Sequence, residues 1–169
     1  MFLRIGIVIF LGLFAGTTQA VDSKDLAQLE KAYRNLIVAI HNKDLDTILS
    51  YVHPDGLGGA DTSTPKSQIA QDLKEKASHL NTVLFDSDAE IAEELCSDQG
   101  RAPLSPFVFY QKFGDQYKVT TSVLKEGEYY SVAAMAKAED DKRACQYFLF
   151  GLTFAKTKEG KFLLISNFR

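Results

Sequence analysis

His53 and Asp55 stand two residues apart in the stretch YVHPDGLGGAD, residues 51–61. In extended backbone, residues at that spacing project to the same side. A histidine beside a carboxylate can polarise it for proton transfer near neutral pH. With Tyr33 or Tyr51 as a hydrogen-bond donor, the group would suit a small lyase or isomerase. A second reading accounts for the same residues without chemistry. Histidine is favourable near a helix C-terminus. Pro54 stops the helix, and Asp55-Gly56 makes a turn. Tyr33, Tyr51, His53, Asp55 and Tyr130 are therefore carried as ligand-binding candidates, and no residue is assigned a catalytic role.

The remaining reactive side chains are scattered. His41 and His79 flank the apolar stripes of two helices, and neither has a metal-type partner at i+4. Asp86, Asp88, Glu90, Glu93 and Glu94 cluster without the spacing of a calcium loop, which reads as a solvated acidic face. HExxH, CxxC, GxSxG and phosphate-loop motifs are absent. Neither a metal nor a cofactor is expected. Cys96 and Cys145 are the only cysteines, and in an oxidising compartment they are expected to form a disulfide. The alternatives are two separate thiols, or Cys96 as a nucleophile.

The elements that must position these residues follow from periodicity and punctuation. Leu26, Leu29, Tyr33, Leu36, Ile37 and Ile40 fall on one helical stripe, predicting a helix over 23–41. Ser23 or Asp22 caps it. Asp44 caps a second, short helix carrying Leu45, Ile48, Leu49 and Val52. Thr64-Pro65 starts a third, with Ile69, Leu73, Ala77 and Leu80 on one face. Ser87 and Glu90 suit a capping box for a short helix near 88–95. Ser105-Pro106 opens one or two further turns, stopped by Gly114. After that the pattern alternates. Segments 117–124, 128–137, 144–156 and 162–168, joined by short turns, predict a four-stranded antiparallel meander. Gly151 inside the third strand marks a bulge or bend. The small residues at 133–136 would let a helix approach closely.

Tyr129, Tyr130, Tyr147, Phe148, Phe150, Phe154, Phe162 and Phe168 fall on these strands. Simple alternation puts Phe148, Phe150 and Phe154 on one face and Tyr147 on the other. Most belong in a core. Aromatics on both faces exceed what a sheet with one wet face needs, so some are expected to line an apolar pocket or a protein-binding patch.

An address precedes the fold. Met1 to Arg4 is a short basic start, residues 5–16 are apolar, and Thr18-Gln19-Ala20 ends in small residues. That is the pattern of a secretory signal peptide cleaved after Ala20. The apolar run is too short for a spanning helix, which needs roughly 20 residues. Residues 21–169 then form a single α+β domain, exported and periplasmic or secreted, with no membrane association after cleavage. That domain holds 149 residues, 18 basic and 22 acidic. Its mild negative charge argues against nucleic acid, which calls for a basic face. There is no N-x-S/T sequon.

The order of elements carries a resemblance. A long helix, a short helix from Asp44 in NKDLDTILSYVHPDG, another helix, then strands ending in GKFLLISNF are similar to the nuclear-transport-factor-2-like superfamily. That likeness implies a cone-like fold, in which a curved four-stranded antiparallel sheet wraps around a long helix and leaves a pocket. Some enzymes of the family use a His/Asp pair in that pocket, but no specific catalytic motif of theirs matches here. Dimerisation through the sheet is common among them, so a homodimer is expected. The chain departs from the pattern in a longer middle section, 81–115, and in Phe162 where a tryptophan is usual. The reading is an exported, non-enzymatic domain binding a small apolar molecule or a protein partner. The alternatives are the lyase or isomerase above and an exported inhibitor or immunity-type protein acting through a loop such as 53–63.

Overall fold

The computed structural model describes residues 22–58, 63–86, 89–124, 129–137 and 145–166. The expected signal peptide, the turns at 125–127 and 140–142, and Ser87, Asp88 and Phe168 lie outside them. So do the side chains of Glu90, Glu93 and Phe150.

The first helix, α1 (Ser23–His41), has the limits its periodicity gives. Asp22 is the cap, its carboxylate accepting from the Lys24 N–H at 2.9 Å, which satisfies one of the orphan donors of the first turn. Its stripe of Leu29, Tyr33, Leu36, Ile37 and Ile40 is buried. α2 (Leu45–Tyr51) starts at Asp44, whose carboxylate accepts from the Thr47 N–H and hydroxyl. Val52 then turns extended and bridges Leu164.

The expected third helix is two. α3 (Lys66–Asp72) and α4 (His79–Phe85) are separate. Local side chains explain the break. The Ser78 hydroxyl donates to the Asp72 carbonyl, and the Asn81 amide to the Leu73 carbonyl, satisfying groups left open at the end of α3. Ser78 also accepts from the Asn81 N–H and so caps α4. Ala77, read as part of a buried face, is exposed. At the start of α3 the cap is Pro65 rather than Thr64. Thr64 belongs instead to a two-residue ladder, β1 (Leu57–Gly58) with β2 (Ser63–Thr64). α5 (Ala89–Gln99) is longer than expected. α6 (Pro106–Phe113) follows its cap-and-proline start, with Ser105 accepting from the Val108 N–H and Gly114 ending it.

The four strands β4 (Lys118–Leu124), β5 (Tyr129–Lys137), β6 (Gln146–Lys156) and β7 (Phe162–Leu164) pair antiparallel in sequence order. The four-stranded antiparallel sheet is nevertheless a five-stranded mixed one. β3 (Arg101–Pro103) pairs parallel with residues 146–148 of β6, while β7 takes residues 154–156. A parallel neighbour needs a long crossover, and α6, β4 and β5 supply it. The sheet curls strongly into a half-barrel, and α+β is the observed class.

Gly151 does lie at a bulge. Val132 pairs Leu152 and Ala134 pairs Leu149, so β6 carries one extra residue. That residue inverts the alternation. Tyr147, Leu149, Leu152 and Phe154 all face the core, and Phe148 is half-exposed. The expected grouping of Phe148 with Phe154 is therefore corrected. Ala134 and Ala136 of β5 are buried on the same concave side. Cys96 and Cys145 are bonded, 5.7 Å apart at Cα, tying α5 to the start of β6. Closing a loop of this size stabilises by about 4 kcal/mol in the chain-entropy account.

Candidate functional site

The five candidate residues are not gathered in one place. His53 and Asp55 sit on a turn at the end of α2. The His53 N–H donates to the Leu164 carbonyl at 3.0 Å, and the Gly56 N–H donates back to the His53 carbonyl at 2.9 Å. The His53 Nδ1 accepts from the Asp55 N–H at 3.3 Å. The Asp55 carboxylate is 3.5 Å from that same nitrogen. The two contacts need opposite protonation states, because a protonated Nδ1 cannot accept. The Asp55 side chain is 92% exposed. The turn depends most on Gly56, at φ 92°, where a Cβ would collide with the Thr64 carbonyl.

Tyr51 closes α2, half-buried, and lines a groove of about 460 Å³ between α1 and the β6–β7 hairpin. Phe162 lies in that groove, and the buried Tyr130 packs edge-on behind it at 5.3 Å. Burial raises the Tyr130 pKa, and nearby Asp25 adds to the effect while Lys156 opposes it. Lys156 and Asp25 form an ion pair at 2.6 Å, joining β6 to the first turn of α1.

Tyr33 lies in the interior, fully buried, its ring 6.5 Å from Phe154 in an edge-on arrangement. Its hydroxyl has no hydrogen-bond partner among the described residues, and the same is true of the buried Tyr117 hydroxyl. Desolvation pushes the Tyr33 pKa far up, and the neighbouring Tyr117 pushes it further. Burial also raises Tyr117, with Arg34 pulling the other way. Tyr117 was legible only as the start of a strand. What marks it is a long-range neighbourhood. Phe109 of α6 packs on its ring at 5.4 Å, and the Arg34 guanidinium stacks over it at 4.5 Å.

Arg34 is a clasp. Its Nε donates to Glu30 Oε1 one turn back at 2.9 Å. One terminal nitrogen donates to the Tyr117 carbonyl at 3.3 Å, the other to the Asp115 carbonyl at 3.5 Å. It thereby pins α1 to the turn between α6 and β4. Outside it runs an open groove of about 610 Å³ lined by Ala27, Glu30, Lys31, Arg34, Asn35, Val38 and Asp115. The two phenols behind the Arg34 guanidinium can accept or donate hydrogen bonds, and Tyr117 has that cation as its neighbour. Their raised pKa values make them weak acids, suited to recognition more than to proton abstraction.

His41 is half-buried between Phe107 and Tyr110, at ring distances of 5.2 and 5.0 Å, with its Nδ1 unpartnered. His79 is exposed. Among the described residues no group of three or more His, Cys, Asp or Glu could hold a metal ion. Comparison with family models, with curated proteins and with solved structures finds no significant match to this chain.

Proposed function

We propose that this chain is an exported, non-enzymatic domain of the nuclear-transport-factor-2-like type that binds a small, largely apolar ligand. The ligand's polar group is received by the Tyr33 and Tyr117 hydroxyls behind Arg34. The observation that carries this reading is the fully buried Tyr33 hydroxyl, which has no partner among the described residues, next to the buried Tyr117 hydroxyl, whose charged neighbour is Arg34. Leaving such a group unsatisfied costs about 1–3 kcal/mol. A ligand that satisfies both recovers that energy along with the burial of its apolar body. Neither tyrosine lines the groove beside Arg34, so this reading requires Arg34 to leave the two carbonyls when the ligand enters. The disulfide is consistent with an oxidising compartment, and no helix among the described residues is long and apolar enough to cross a membrane.

The acid–base alternative draws less support, since His53 and Asp55 lie on an outer turn and line neither groove described above. The inhibitor alternative draws less as well. The described part of its loop is bonded to the last strand region through His53–Leu164 and Gly58–Ile165, and residues 59–62 lie outside the described residues. The test is native mass spectrometry of the protein purified from the compartment that receives it. A retained small molecule is expected in the wild type and not in Tyr33→Phe. Equal retention in both would refute the site.

A second reading, a protein partner or a second copy, rests on a different observation. Among the described residues the large exposed apolar side chains are Val123 and Leu124 on β4 and Met135 on β5. β4 is an edge strand with Val123 and Leu124 at one end and Met135 opposite Lys118 at the other, and an unpaired edge is open to strand pairing. Sedimentation of the wild type against Leu124→Glu tests it. Two identical monomeric profiles would remove the second copy as the occupant of this edge.

A further inference from the structure

The groove beside Tyr51 is lined by neither Tyr33 nor Tyr117, although it shares Lys31 and Asn35 with the groove beside Arg34. Gln28, Lys31 and Asn35 lie on one face of α1, spaced three and four residues apart. Ser50 and Tyr51 end α2. Lys161 comes from the hairpin between β6 and β7, held by two bonds: Thr157 N–H to the Lys161 carbonyl at 2.7 Å, and Lys161 N–H to the Thr157 hydroxyl at 3.2 Å. Three separate elements thus converge on one groove. Its lining holds two lysines, two amides and two hydroxyls, and no carboxylate. That is against the average of a chain with formal net charge −3.

Neither Lys31 nor Lys161 is in an ion pair among the described residues. Glu159 is the nearest acidic neighbour in the hairpin. Hydrogen bonds from its own backbone and from Thr157 hold its pKa down, and Lys161 adds to this. Its side chain is exposed and is not part of the lining. The apolar part of the lining is Ala32, Leu163 and the largely buried Phe162. A volume of about 460 Å³ falls in the range of roughly 300–1,000 Å³ usual for small-molecule sites.

We infer that this groove binds a small amphipathic anion, with its carboxylate between Lys31 and Lys161 and its apolar body on Phe162 and Leu163. Asn35 and the Tyr51 hydroxyl are placed to donate to the same head group. Lysine is a strongly hydrated point charge that tolerates varied geometry, so charge and tail together set the selectivity.

The test is titration of the ¹⁵N-labelled protein with octanoate, octanol and inorganic phosphate, followed by amide shifts. Octanoate is expected to move the amides of Lys31, Asn35, Tyr51 and Lys161 and to bind at least tenfold tighter than either control. The double variant Lys31→Glu, Lys161→Glu is expected to lose at least tenfold in octanoate affinity, and Tyr51→Phe a few-fold. Lys74→Glu, an exposed charge reversal elsewhere, is expected to change nothing. Tyr33→Phe is also expected to leave octanoate binding intact, which separates this groove from the interior site. Octanol binding as tightly as octanoate would overturn the role of charge, and phosphate binding as tightly would overturn the role of the floor. Unchanged affinity in the double variant, or loss of octanoate binding in Tyr33→Phe, would overturn the assignment of the site.

Discussion

The turn at His53–Asp55 and the cluster at Tyr33, Tyr117 and Arg34 make an instructive pair. The first holds the residues that draw the eye in the sequence, yet its hydrogen bonds are spent on building a turn. The second is assembled from two neighbouring residues of α1, on its stripe and its flank, and a strand entry 83 and 84 residues further along the chain. It contains one fully buried hydroxyl, that of Tyr33, without a partner among the described residues, and a second, that of Tyr117, with only Arg34 beside it. Chemical type at short spacing marks a turn as readily as a site. An unsatisfied buried group marks a place where the fold alone leaves a cost standing.

The comparison can be broken most forcefully at the wall of the cluster. Phe154→Ala removes a fully buried ring that packs on Tyr33 and is expected to cost about 3–5 kcal/mol in urea unfolding. A loss below about 1 kcal/mol would mean that the interior is not packed as described. On the turn, the sensitive position is Gly56 rather than the two residues beside it. Gly56→Ala meets the Thr64 carbonyl at a positive φ and is expected to lose more than about 1 kcal/mol.

Tyr33→Phe goes in the other direction. In ligand-free protein it removes an orphaned hydroxyl and is expected to add about 1 kcal/mol, seen as a rise of roughly 2–4 °C in Tm for a domain of this size. A fall would show that the hydroxyl has a partner. Alkaline titration sharpens the same point. Tyr33 and Tyr117 have folded pKa values raised above the ordinary 10.0, so the unfolded chain releases these protons first. Their contribution to stability is fully present below pH 10 and declines as pH rises through and above it. Tyr33→Phe should flatten that decline, measured by denaturation at pH 9 and pH 11. The smallest effect is expected for His53→Ala and Asp55→Asn. Each should shift stability by no more than about 0.5 kcal/mol and leave ligand retention unchanged. A loss of retention there would return the site to the turn.

Much of the frame was legible because it is local. The limits of α1, the Asp44 cap and the Ser105-Pro106 start follow from contacts within four residues. The break between α3 and α4 was missed because the amphipathic period runs straight through it. Only the bonds of Ser78 and Asn81 to the preceding turn distinguish two helices from one. β3 was missed for a different reason. Three residues containing a proline carry no strand signal, and they pair because β6 is long enough to offer its edge to two partners. The bulge was anticipated at Gly151, but the inversion of faces that it causes was not applied to Phe148 and Tyr147.

By itself the sequence determined the helix at the front, the meander at the back, the α+β class and the pairing of two cysteines. Those depend on caps, periods, turns and a count of two. Only the tertiary structure decided which tyrosines are buried without partners and which acids stay out of the Tyr51 groove. Hydrogen-bond satisfaction and charge balance are properties of neighbours in space. Those neighbours come from segments that approach one another only in the folded chain.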